Sequence, residues 1–166
     1  MAATRWIPAY VGLGSNLDDP RVQVERALDE LGRLRGSRCV LRSALYRSPP
    51  HGPVAQPDFV NAVAGMLTRL GADELLAELK SLETRLGRAR PVEHWGPRRI
   101  DLDLLVHGTA RIDAPGLRVP HAGLAGRAFV LVPLAEIAPE LDVPGLGRVS
   151  GLLGRVDATG LERIAP

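Results

Sequence analysis

Apolar positions along the chain change period several times, and each change marks an element. Ile7 to Leu13 is β-like and runs into the turn signal Gly14-Ser15-Asn16. Asp19-Pro20 has the character of a helix N-cap and first helical residue, and Val24, Ala27, Leu28, Leu31 and Leu34 follow at helical spacing until Gly36. Cys39 to Arg47 predicts a second strand. Ser48 to Pro57 holds four prolines and a glycine and predicts a loop. Phe59 to Thr68 alternates as a third strand, with Phe59, Asn61, Val63 and Leu67 on one face and Val60, Ala62, Ala64 and Met66 on the other. From about Asp73 to Leu86 the period returns to that of a helix, with Leu75, Leu79, Leu82 and Leu86 inward and Gly87 as the stop. Arg88 to Arg98 is an irregular basic loop, and Arg99 to His107 a fourth strand.

This order, strand–helix–strand–strand–helix–strand, predicts an α+β fold: a ferredoxin-like βαββαβ core with an antiparallel sheet. Both helices are expected on one face, leaving the other face for a site. Beyond His107 the signals weaken to Val119-Pro120-His121, a short helix near Leu124 to Phe129 and a Gly- and Pro-rich extension. With 166 residues, no internal repeat and no linker, one domain over residues 1–166 is expected, its core at about 7–150.

Composition narrows the class. The longest apolar stretch, Ala128 to Leu134, is interrupted by Pro133 and falls well short of the ~20 residues that span a bilayer, so no membrane role is expected. Cys39 is the single cysteine, which excludes an internal disulfide and agrees with a cytoplasmic protein. The net charge is only +2, yet the pI is about 9.2, because Lys80 is the sole lysine and the other basic residues are arginines. Arginine suits phosphate recognition through its planar fork of donors, so placement matters more than number.

The strongest local chemical signal is Asp101-Leu102-Asp103. Residues two apart on a strand point the same way, with Cα atoms roughly 6.6 Å apart, so both carboxylates share a face opposite Ile100, Leu102, Leu104 and Val106. Adjacent carboxylates repel unless a cation or proton sits between them, and hard oxygen ligands of this kind are what Mg²⁺ takes when it also holds substrate phosphates. An isolated pair is more often a solvated strand face. Arg88, Arg90, Arg98 and Arg99 lie just upstream, however, with Trp95 and the turn Gly96-Pro97 among them. A basic loop feeding a carboxylate pair is suited to metal-assisted phosphoryl transfer.

The run from His94 to Leu105, His-Trp-Gly-Pro-Arg-Arg-Ile-Asp-Leu-Asp-Leu-Leu, resembles the signature of the 6-hydroxymethyl-7,8-dihydropterin pyrophosphokinase family. Gly12 to Leu17, Ser48 to Pro53, Gln56 to Asn61, Val119-Pro120-His121, Arg127 and Phe129 extend the likeness in the same order over roughly residues 7–150. The resemblance implies transfer of pyrophosphate from ATP to the hydroxymethyl group of the pterin. It further implies that Asp101 and Asp103 hold two Mg²⁺ ions, that Arg88, Arg90 and Arg98 neutralise phosphate charge, and that Trp95 closes over the site. Lys80, Glu83, Arg90, His94, Arg98, Leu104, His121 and Arg127 would line the ATP side. Phe59 and Phe129 would sandwich the pterin while Asn61 bonds its edge, with Ser48, Pro50, His51 and Trp95 adding contacts. These are the chain's only two phenylalanines, and aromatic faces suit a planar heterocycle.

Some positions depart from the family pattern. His94 stands where relatives often carry arginine or lysine, Ala122 where an aromatic is expected, Gly116 lacks a basic side chain that some relatives have nearby, and His51 replaces an apolar contact. The partners expected are ATP and the pterin, with no nucleic acid and a monomeric protein. A nucleic-acid module on such a sheet would need a Phe/Tyr-rich stacking motif with Lys/Arg, which the strands lack. A catalytically impaired relative remains the alternative, opposed by the intact Asp101, Asp103, Arg98 and His121.

Overall fold

The computed structural model of the chain describes residues 5–50, 52–87 and 99–166. Its elements are β1 (Ile7–Ser15), α1 (Pro20–Leu31), β2 (Ser37–Arg42), β3 (Tyr46–Ser48), β4 (Phe59–Thr68), α2 (Ala72–Arg85) and β5 (Asp101–His107). There follow β6 (Ile112–Ala114), β7 (Leu117–Val119), a 3-10 turn (Leu124–Gly126), α3 (Ala128–Ile137), β8 (Asp142–Val143), β9 (Gly147–Arg148), α4 (Val149–Leu153) and β10 (Glu162–Arg163). The described residues thus form a mixed α/β fold with four α-helices around an antiparallel sheet.

The sheet runs β10-β3-β4-β1-β5, with β2 also paired to β4, and every pairing is antiparallel. The expected single strand from Cys39 to Arg47 is two. Ser43 explains the break: Val63 N donates to Ser43 Oγ at 2.9 Å, so a side chain takes over one rung of the ladder and the chain bends before β3. β10, two residues long and unforeseen, extends the sheet beyond β3.

Local chemistry sets the helix starts. Asp19 caps α1, its carboxylate accepting from Val22 N at 3.5 Å, and Pro20 opens the helix where a missing N–H costs nothing. In α2, Glu74 reaches back to accept from Gly71 N at 3.1 Å. The inward leucines Leu75, Leu79, Leu82 and Leu86 are buried as their spacing predicts.

One face of the sheet packs against α1 and α2 through Val11, Leu13, Ala62, Met66, Leu102 and Leu104. The expectation that the opposite face lies open is corrected. Val63, Leu105 and Val106 on that side pack with Val130, Leu131 and Leu134 of α3 and with Leu152 of α4. A register shift against β1 causes part of this: Val11 faces Leu104 but Tyr10 faces Val106, leaving Leu105 as an extra residue. Val106 is thereby turned away from the face it was expected to share with Leu104. The last helix of any length begins at Ala128 and carries Pro133 within it, rather than ending near Phe129. At one end of the sheet Phe59, Asp101 and Asp103 are half-buried and not sealed in the core.

Candidate active site

Three strands build the floor. In β1, Gly14 lies opposite Asn61 of β4 on one side and Asp101 of β5 on the other, while Gly12 lies opposite Val63 and Asp103. Neighbouring strands are about 4.8 Å apart, so the amide and the carboxylate flank a trough about two strand spacings wide. Glycine keeps that trough clear. A Cβ on Gly14 would stand 3.4 Å from Asn61 Oδ1 and 3.7 Å from a Phe59 ring carbon. Asn61 is held in place by donating to Ser48 Oγ at 2.8 Å and to the Tyr46 carbonyl at 3.3 Å. Its Oδ1 is thereby turned toward the trough.

On the other side of Gly14, Asp101 and Asp103 share the exposed face of β5, and Leu102 between them is buried. The Asp103 side chain is 32% exposed, and its carboxyl is pushed up to about 7. Desolvation is the main cause, followed by the charge of Asp101; Lys80 and Arg127 pull the other way, and Glu83 adds to the rise. A pair of hard carboxylates on one strand face fits a divalent cation, whose charge would offset both the desolvation and the Asp101 repulsion that raise Asp103.

His121 adjoins the pair, Nε2 lying 3.8 Å from Asp103 Oδ1. Its Nδ1 accepts from Gly123 N at 3.0 Å, which assigns the neutral ring's proton to Nε2, aimed into the site. Burial and the Arg127 guanidinium hold its pKa below the usual imidazole value, against the pull of Asp101, so the ring is neutral near pH 7. Gly123 also lets Arg127 approach, since a Cβ there would fall 2.5 Å from the guanidinium carbon. Arg127 reaches over the Phe129 ring at 5.8 Å.

Phe129 lines a cavity of about 240 Å³ with Ser48, Pro49, Pro50 and the C-terminal residues Asp157, Thr159 and Leu161. Phe59 and Phe129 are both half-buried, unlike ordinary core rings, so each keeps surface for a ligand. Sequence reasoning missed the contribution of residues 157–161. Their signal was absent because it depends on β10 pairing with β3, and a two-residue strand has no readable period.

The structure brings Ser48, Pro50, Phe59, Asn61, Lys80, Asp101, Asp103, His121, Arg127 and Phe129 to one side of the molecule's β4–β1–β5 end or its rim. Two residues expected on the ATP side have buried side chains. Leu104 is 3% exposed in the core beneath the helices, so its side chain faces away from the site. Glu83 is fully buried, its Oε1 accepting from Lys80 Nζ at 3.1 Å and from Leu102 N at 3.2 Å. His51, Arg88, Arg90, His94, Trp95 and Arg98 lie outside the described residues. Among the departures, Ala122 lines a second cavity, about 350 Å³, with Arg111, Arg118, His121 and Pro144.

Comparison with known proteins agrees with this geometry. Residues 10–139 match the family model described as 7,8-dihydro-6-hydroxymethylpterin-pyrophosphokinase (HPPK). A protein of Pseudomonas aeruginosa named 2-amino-4-hydroxy-6-hydroxymethyldihydropteridine pyrophosphokinase is 46% identical over 155 residues, covering 93% of this chain and 95% of the relative. A Methylorubrum extorquens protein of the same name is 44% identical over 156 residues, covering 94% and 98%. Among solved structures, wild-type Plasmodium falciparum HPPK-DHPS superposes with a TM-score of 0.71 at 12% identity, a likeness of fold alone. It covers 93% of this chain, which spans 45% of that longer one. By the family model and by relatives matched along nearly their whole length, the chain belongs to the 6-hydroxymethyl-7,8-dihydropterin pyrophosphokinase family.

Proposed function

We propose that this chain transfers the pyrophosphoryl group of ATP to the hydroxymethyl oxygen of 6-hydroxymethyl-7,8-dihydropterin, in folate biosynthesis. The observation that carries the reading is the row Asn61–Gly14–Asp101 across three strands. It sets a hydrogen-bonding amide and a carboxylate pair on opposite sides of a side-chain-free trough. A flat heterocycle over Gly14, with its edge at Asn61 and its face against Phe59 and Phe129, would direct a hydroxymethyl arm toward Asp101 and Asp103. The strand order β4-β1-β5 with two crossover helices on one face is read as the ferredoxin-like βαββαβ core, elaborated by β3, β10 and the C-terminal helices.

In the reaction the hydroxyl oxygen attacks the β-phosphorus, and the bond to the bridging oxygen of the α-phosphate breaks. AMP leaves with that electron pair, and the hydroxyl proton is lost to solvent. Asp101 and Asp103 would hold Mg²⁺, two ions in this reading, which when bound supplies charge neutralisation at the triphosphate oxygens. His121 offers a neutral Nε2–H to a phosphate oxygen. Lys80 and Arg127 would contribute positive charge, Arg88, Arg90 and Arg98 would neutralise phosphate charge with His94 on the ATP side, and Trp95 would close over the site. Ser48 acts through Asn61, and Pro50 and His51 would add pterin contacts. The protein is read as a cytoplasmic monomer; among its described residues no helix is long and apolar enough to cross a membrane.

Incubation with ATP, Mg²⁺ and the hydroxymethyl-dihydropterin, followed by nucleotide chromatography, tests the assignment. AMP and a pterin pyrophosphate are expected in equal amounts. ADP as the main nucleotide product would overturn it.

A further inference from the structure

Among the described residues Glu83 is the one carboxylate with no solvent exposure. A buried charge is costly unless hydrogen bonds compensate it, so its partners indicate what it is for. Glu83 sits near the C-terminal end of α2, one turn beyond Lys80, and its Oε1 accepts both from Lys80 Nζ at 3.1 Å and from Leu102 N at 3.2 Å. β5 ends the sheet among the described residues, so on its outer side a side chain does what a neighbouring strand would do. The residue so held is the middle of Asp101-Leu102-Asp103. Its side chain is locked in the core at zero exposure, and its amide is locked by Glu83. The two carboxylates hang on either side of that fixed point.

We propose that Glu83 is a positioning residue: by accepting the Leu102 amide it fixes the edge strand so that Asp101 and Asp103 present their oxygens together to the Mg²⁺ they hold. The inference rests on the reading of Asp101 and Asp103 as the metal-holding pair, and it gives Glu83 an action through the backbone. Groups that orient metal ligands without touching the metal matter in this way because a small rotation of the strand displaces both ligands together.

Glu83→Gln keeps an oxygen for the Leu102 amide, whereas Glu83→Leu removes it. Two measurements on the metal-free and Mn²⁺-titrated proteins separate them: hydrogen exchange at the Leu102 amide, and Mn²⁺ affinity by electron paramagnetic resonance. The Leu variant should lose amide protection and bind Mn²⁺ about 10- to 100-fold more weakly, while the Gln variant recovers most of both. Wild-type-like Mn²⁺ affinity in Glu83→Leu, or an equal loss in Glu83→Gln, would overturn the positioning role. If Glu83→Leu does not fold, Glu83→Asp serves in its place, keeping the charge but withdrawing the oxygen by one methylene. Unchanged Mn²⁺ affinity in that variant would be equally fatal. Failure of the functional reading looks different: ADP as the product, or no Mn²⁺ binding by the wild-type protein.

Discussion

Asp103 shows how a single side chain reports on the chemistry around it. Its folded pKa, about 7, lies above its ordinary value of 3.8, so the folded protein binds that proton more tightly than the unfolded chain does. The associated stability is present at low pH and is lost as pH rises through about 7 in the metal-free protein. Asp103→Asn should therefore raise the melting temperature more at pH 8 than at pH 5, and Mg²⁺ should abolish most of the difference; calorimetry without and with Mg²⁺ reads this directly. Cation affinity should run the opposite way with pH, tightening as Asp103 ionises. For turnover, Asp101→Ala and Asp103→Ala should each cost at least ~10³-fold in kcat, since both remove electrostatic support for the transferring phosphate. Gly14 makes the complementary case on the pterin side. Gly14→Val would push branched carbons against Asn61 and Phe59, already within 3.4 Å and 3.7 Å of a Cβ. The pterin Kd, measured by fluorescence titration, should rise about tenfold or more, as overpacking by ~1–3 kcal/mol implies. Nucleotide affinity should hold.

At the level of elements, the site depends on how α3 is fastened to the sheet. Glu136 of α3 accepts from Ala44 N through both oxygens, at 3.0 and 3.1 Å, and from the Tyr46 hydroxyl at 2.6 Å. Burial, then the hydrogen bond from its hydroxyl to Glu136, pushes the Tyr46 phenol up to about 12. Tyr46 is also the residue whose carbonyl holds Asn61. One carboxylate thus couples α3 to the link between β2 and β3 and, one step on, to Asn61, the amide proposed for the pterin edge. Replacing Glu136 by Leu leaves the Ala44 amide and the Tyr46 hydroxyl without that acceptor. A loss of about 1–3 kcal/mol in urea unfolding is expected, together with weaker pterin binding. An unaltered unfolding midpoint would show the contact to be incidental.

For the molecule as a whole, the C-terminal segment completes one wall of the cavity at Phe129. β10 pairs with β3, Ile164 N donates to the Leu45 carbonyl at 2.8 Å, and residues 157–161 close the cavity around Phe129. Gly160, at a φ of 84°, lies against Pro49, where a Cβ would come within 3.1 Å. Deleting residues 155–166 should weaken pterin binding roughly tenfold, about 1.4 kcal/mol, while leaving nucleotide and Mn²⁺ affinity nearly intact. Isothermal titration with each ligand separately checks this; equal losses for both would mean that the segment supports the fold rather than the pocket.

The sequence by itself determined the parts whose physics is local. Period two on Phe59 to Thr68 placed Phe59 and Asn61 on one face, and period two on β5 put Asp101 and Asp103 together. Leucine spacing and a glycine stop defined α2, and Asp19-Pro20 the start of α1. The run from His94 to Leu105 was specific enough to indicate the family. What local pattern does not encode is partnership between distant segments. Gly14 became the floor of the site only because β1 lies between β4 and β5. Val106 changed faces because a bulge against Tyr10 inserted Leu105. The open sheet face turned out to be half covered because an apolar stretch containing Pro133 folds as α3. Glu83 meets the Leu102 amide only because helix α2 packs against β5, two elements that adjoin in space and not in any local pattern.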